Sequence, residues 1–102
     1  MTQTPFDADT LPDAADHATV VFKKFANVMR LRLLLALREG PQSVSALQEV
    51  LGATQPAVSL QLLRMRNDGL VTCYRSDADA RIMLYAVADA RALALVDMAA
   101  AL

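Results

Sequence analysis

Apolar and polar residues recur along this chain with two different periods, and the change falls at Gly69. Before it, apolar residues return every three or four positions, the spacing of a buried helix face; after it they alternate, as in a half-buried strand. The clearest helical stretch is 43–70, SVSALQEVLGATQPAVSLQLLRMRNDGL. Ser43 is placed to cap a helix whose inward face is Val44, Leu47, Val50 and Leu51. Gly52 falls where a chain leaves a helix with positive φ. Thr54 then caps a second helix, with Pro56 in the first turn, where a missing N–H costs nothing. Val58, Leu62 and Met65 supply its inward stripe, and Asn67-Asp68-Gly69 ends it. Two short helices around a tight turn containing glycine have the shape of a helix-turn-helix.

Two helices are predicted upstream. Over 13–25, Ala18, Val21, Phe22 and Phe25 share one face, with Lys23 and Lys24 off it. Asn27 caps a helix over 28–38 with the apolar stripe Leu31, Leu34, Leu35 and Leu37, and with Arg30, Arg32 and Arg38 in water. A helix this apolar belongs at the centre of the core. Downstream, 70–75 and 81–87 are predicted as paired strands around the loop 76–80. Asp89 caps a last helix over 90–102, with Leu93, Val96 and Leu102 among its apolar positions. The predicted fold is mainly α with a small β-hairpin, a winged helix-turn-helix in the order α-α-α-α-β-β-α. Residues 1–12, with Pro5 and Pro12 framing a polar segment, are expected to form a disordered acidic arm, and 13–102 the single domain.

The outward side of the second motif helix carries Gln55, Pro56, Ser59, Leu60 and Leu63, flanked by Gln61 and Arg64. Gln can pair with adenine through two hydrogen bonds, Ser can bond a base or a phosphate, and Arg neutralises phosphate. These residue types suit the major groove of double-stranded DNA, and they suit a plain solvated helix face equally well. Net charge is −1, but unevenly spread. Asp7, Asp9, Asp13 and Asp16 precede every Lys and Arg, which leaves a modestly basic body behind an acidic start. Charge is therefore neutral on the matter.

At 102 residues and 55% apolar content there is material for one core. No uncharged apolar run is long enough to span a bilayer, so no membrane partner is expected. The start lacks the basic and apolar regions of a signal peptide, and one cysteine cannot close an internal disulfide. A cytoplasmic protein is expected.

With the elements in place, the chain resembles the ArsR/SmtB family of dimeric winged-helix repressors over about residues 18–100. The matching residues are Ala26-Asn27 with Arg30-Leu31, Ser43-Val44, Leu47, Leu51-Gly52, Gln55-Pro56-Ala57-Val58-Ser59, Leu62, Asp68-Gly69-Leu70-Val71 and Tyr85. The resemblance implies a sequence-specific regulator of transcription, a homodimeric repressor on an inverted-repeat operator. It implies that Gln55, Ser59 and Gln61 face DNA, with Arg64 near phosphates and Arg75 or Arg81 at the base of the wing. Pro56 and Leu60 lie on the same face. The first and last helices are too apolar for a lone protomer of this size, so Val21, Phe22, Phe25, Leu93 and Val96 are the expected dimer interface.

Three departures from the family pattern stand out. Val28 follows Asn27 where proline is common. Leu60 and Leu63 occupy usually polar positions: Leu60 can touch a thymine methyl or pack locally, and Leu63 is expected to pack. Asp77 and Asp79 sit in the wing loop, where they repel phosphate.

Other chemistry is scarce. A soft-metal site needs two or three thiolates, and a zinc or nickel site needs His with carboxylates at helical spacing. This chain has only His17 and Cys73, so no metal and no cofactor are expected. His17 is expected near a helix start rather than as a ligand, and Cys73 as an inert strand thiol. One His and one Cys far apart offer no nucleophile–base pair, so no catalytic residues are expected. The competing reading is a winged-helix protein-interaction module that does not read DNA, favoured by Leu60, Leu63 and the acidic wing.

Overall fold

The computed structural model describes residues 10–102, so residues 1–9 of the arm expected over 1–12 lie outside the described residues, while Leu11 and Pro12 belong to the first helix. In chain order come α1 (Leu11–Phe25), α2 (Val28–Ala36), a 3-10 turn (Leu37–Glu39), α3 (Val44–Leu51) and α4 (Gln55–Asn67). The hairpin β1 (Val71–Arg75) and β2 (Met83–Val87) follows, then α5 (Ala90–Ala100). This is the predicted order, and the differences lie at element ends. The first helix starts at Leu11 rather than 13, because Pro12 fits its first turn. His17 accordingly lies mid-helix, exposed, rather than near the start.

The core forms where α2, α3 and α4 meet. Leu33 and Leu34, Leu47, and then Val58, Leu62 and Met65 have no exposed surface. Burying each such side chain contributes about 1.5–3 kcal/mol, so this cluster is the main reason the motif is rigid. The stripe expected on α2 needs correction. Leu33 is fully buried, whereas Leu35 is 44% exposed. α2 packs against α3, α4 and α5 together, so its buried arc is wider than one stripe and shifts onto Leu33, Leu34 and Leu37. Leu37 and Arg38 belong to the 3-10 turn that ends at Gly40, not to a continued α-helix. Arg30 is also not in water, as its contacts below show.

The helix-turn-helix is set by its caps. Ser43 Oγ accepts a hydrogen bond from the Ala46 N–H at 3.2 Å, and Thr54 Oγ1 accepts one from the Ala57 N–H at 3.4 Å. Each cap is worth about 1 kcal/mol and fixes where its helix begins. Gly52 adopts φ 62°, ψ 33°, the left-handed conformation that lets α3 stop and α4 start at once.

The strands pair antiparallel, with Val71 opposite Val87, Cys73 opposite Tyr85 and Arg75 opposite Met83. β2 begins two residues later than predicted. The loop is closed by Ile82 N–H to the Asp79 carbonyl at 2.9 Å and Ser76 N–H to the Ile82 carbonyl at 2.9 Å. A feature not predicted is an isolated bridge on the other side of β2. Gln42 and Tyr85 exchange backbone bonds of 3.0 and 2.9 Å, which ties the hairpin to the entrance of α3. α5 ends at Ala100, two residues short of the expected end. No helix among the described residues is long and apolar enough to cross a membrane.

Candidate nucleic-acid interface

α4 is held by one side and presents the other. At about 3.6 residues per turn, the buried Val58, Leu62 and Met65 put Pro56, Leu60, Leu63 and Asn67 at the centre of the opposite side. Leu60 is 47% exposed and Leu63 54% exposed. The expectation that Leu63 packs locally therefore fails, because its direction on the helix leaves it nothing to pack against. Ser59 flanks this row on one side and Arg64 on the other.

At the N-terminal end, Gln55 Nε2 donates to Ser59 Oγ at 2.7 Å across one helical turn. The pair fixes the Gln55 amide on the exposed side, where it can exchange Ser59 for a base edge. Arg64 is exposed and forms no ion pair among the described residues, so its charge is free for phosphate. Gln61 points differently. It is half-buried, and its Oε1 accepts a hydrogen bond from Arg30 Nε at 3.2 Å, which turns it toward α2.

Arg30 has a positioning contact beside this helix that the sequence pattern did not reveal. Its Nη1 donates to Asp68 Oδ2 at 2.8 Å and to the Lys24 carbonyl at 3.0 Å. One guanidinium thus joins the last turn of α1 to the middle and the end of α4. The only sequence signal was the presence of Arg30 and Asp68 in separate motif fragments.

The wing is self-neutralised. Arg81 donates to Asp79 from Nε at 3.0 Å and from Nη2 at 2.9 Å, and the Arg81 N–H adds a third bond at 3.0 Å. These bonds hold the Asp79 carboxyl below its ordinary range. Arg75 Nη1 is spent on the Ala80 carbonyl at 2.8 Å. Behind the wing, burial pushes the Tyr85 phenol up, helped by Cys73 opposite it. Cys73 is a half-buried free thiol.

The residues expected at a dimer interface do not all lie together. Phe22 is 57% exposed and Phe25 half-buried, and both line an apolar groove of about 510 Å³ between α1, α2 and α5. Leu31, Leu35 and Leu95 complete its walls, and Leu35 and Leu95 were not foreseen there. Val96 lines the groove yet is buried in the protomer's own core, Leu93 packs against that core, and Val21 is half-buried on a neighbouring side of α1. Among the described residues no three of His, Cys, Asp and Glu converge as a metal would require.

Known proteins share this arrangement. Residues 27–72, from the Asn27 cap through α4 into β1, match the model of bacterial regulatory proteins of the arsR family. The HTH-type transcriptional regulator NmtR of Mycobacterium tuberculosis is 37% identical over 84% of this chain and 69% of its own length. The transcriptional repressor BigR of Xylella fastidiosa superposes with a TM-score of 0.76 at 28% identity, over 90% of this chain and 88% of that one. The homodimeric winged helix-turn-helix DNA-binding domain of Mb0332 from Mycobacterium bovis superposes with a TM-score of 0.70 at 28% identity, over 95% and 90%. This chain belongs to the arsR family of bacterial regulatory proteins, and it is a transcriptional regulator, not an enzyme, with a winged helix-turn-helix for DNA.

Proposed function

We propose that the chain works as a homodimeric repressor, in which two copies present their α4 helices to successive major grooves of an inverted-repeat operator. The observation that carries this reading is the uncovered apolar side of α1 and α5. α1 contributes no buried residue, yet Phe22 stands more than half exposed on it, beside an apolar groove that Leu95 and Ala99 of α5 also line. A second copy is the natural cover for such a surface, and the described homodimer of the Mycobacterium bovis domain supports the choice. The BigR description supports repression as the sign of regulation.

Within each copy, Gln55, Pro56, Ser59 and Leu60 form the base-facing end of α4, and Arg64 neutralises phosphate. Gln61 acts from inside, through Arg30, and Arg75 and Arg81 shape the wing. A regulator of a bacterial promoter works in the cytoplasm, where the chromosome is. Sedimentation with a duplex carrying the bound sequence tests the assembly: two chains per duplex are expected, and one chain per duplex overturns the dimer. A reporter placed behind that sequence tests the sign, which is repression if its output rises when the protein is removed.

A further inference from the structure

The outward row of α4 is mostly apolar. Pro56, Leu60 and Leu63 follow one another at helical spacing, with Leu60 and Leu63 about half exposed. Polar groups stand on the flanks, in the Gln55–Ser59 pair and Arg64, and in the row itself only at Asn67, the last residue of the helix. Base edges in the major groove offer hydrogen-bond donors and acceptors at every pair, and one apolar group, the C5 methyl of thymine. The N-terminal half of a recognition helix is the part that reaches base edges, and Leu60 lies in that half.

We infer that Leu60 is a specificity-determining residue that recognises a thymine methyl, so that each half-site carries an A·T pair with its thymine against this side chain. The inference rests on α4 being the DNA-reading helix. Leu60 gains by covering a methyl, and it discriminates by what it cannot do. Set against the N4 amino group of cytosine or the O6 and N7 of guanine, it strips water from polar atoms and returns no hydrogen bond. Gln55, five positions earlier at the same end of the helix, supplies the complementary preference for adenine, so the two side chains favour A·T-containing half-sites together.

The test uses the full chain and duplexes selected by it from a randomised library. In a selected duplex each dT of the half-site is replaced in turn by dU, which removes the methyl and leaves every hydrogen-bonding group in place. One position is expected to weaken binding by about fourfold, the size of one methyl buried. Leu60→Ala should bind the dT and dU duplexes alike, whereas Leu60→Met, which keeps an apolar tip, should retain the preference. Circular dichroism melting confirms that both variants fold. If dU is tolerated at every position while the selected duplex is still preferred over a scrambled one, the inference is overturned and the DNA-reading role of α4 stands. Retention of the full dT preference by Leu60→Ala also overturns it. If no duplex is enriched at all, both the inference and the reading beneath it fall.

Discussion

Arg30 and Asp68 are 38 positions apart in the chain and 2.8 Å apart in the fold. The same guanidinium reaches Gln61 and the Lys24 carbonyl, and its side chain is only 14% exposed. The planar fork of arginine can serve several acceptors at fixed angles, and a lysine ammonium cannot reproduce it. Arg30 therefore sets how α4 sits on α2, and it links that setting to α1, the helix proposed to touch the second copy.

Replacing Arg30 by Ala is expected to lower stability by about 2 kcal/mol in a denaturant titration, since charge-assisted bonds are lost and Asp68 and Gln61 lose their partner. Arg30→Lys should recover only part of this. Affinity for the selected operator should fall more than affinity for random DNA, because the angle of α4 is loosened. The salt slope should stay the same, because no phosphate contact is removed.

In the wing, Asp79 has its pKa lowered first by side-chain bonds from Arg81 and then by the Arg81 N–H. A carboxylate with a lowered folded pKa stabilises the structure above its unfolded pKa, and the effect is lost as pH falls through the folded value. The pair is thus intact at neutral pH, where the Asp79 charge offsets that of Arg81 toward a phosphate. Asp79→Asn should remove this offset, raising affinity for operator and random DNA together and steepening the salt slope by about one. A titration of binding against salt concentration for the two proteins checks this.

The apolar side of α1 yields a separate prediction. Phe22 is exposed and makes no contribution to the buried core, so Phe22→Glu should leave the fold intact by circular dichroism. It should shift the sedimenting species to a monomer at micromolar concentration. Operator binding should weaken with it, since one α4 alone holds only a half-site.

With one His and one Cys in these 102 residues, a family-type zinc, nickel or arsenite site is not expected from their side chains. Equilibrium dialysis is expected to find no stoichiometric metal bound with submicromolar affinity. A Cys73→Ser variant is expected to leave DNA release by oxidants unchanged.

Much of the fold was legible because local chemistry and tertiary packing agree. Ser43, Gly52 and Thr54 each announce a helix boundary through their own backbone preferences, and the structure uses all three. The stripe Val58, Leu62 and Met65 is equally local, since helical spacing alone selects it. What was missed is non-local. Arg30 looks like a solvated charge until α4 brings Asp68 to it. Leu33 looks peripheral until three helices close around α2. The Gln42–Tyr85 bridge needs two segments 43 positions apart in register. Leu63 erred in the other direction, because apolar character suggested packing where helix geometry leaves the side chain in solvent.

The central claim is that α4 reads sequence through its N-terminal face, and a comparison of two affinities tests it most directly. Binding of the native chain and of Gln55→Ala is measured by fluorescence anisotropy on the selected operator and on a scrambled duplex at one salt concentration. Gln55→Ala should lose about 1–3 kcal/mol on the operator and almost nothing on the scrambled duplex, since only base recognition is removed. Stability should hold within about 0.5 kcal/mol, because Gln55 is an exposed surface residue. Equal loss on both duplexes, or no loss on either, would contradict the claim that this face of α4 recognises bases.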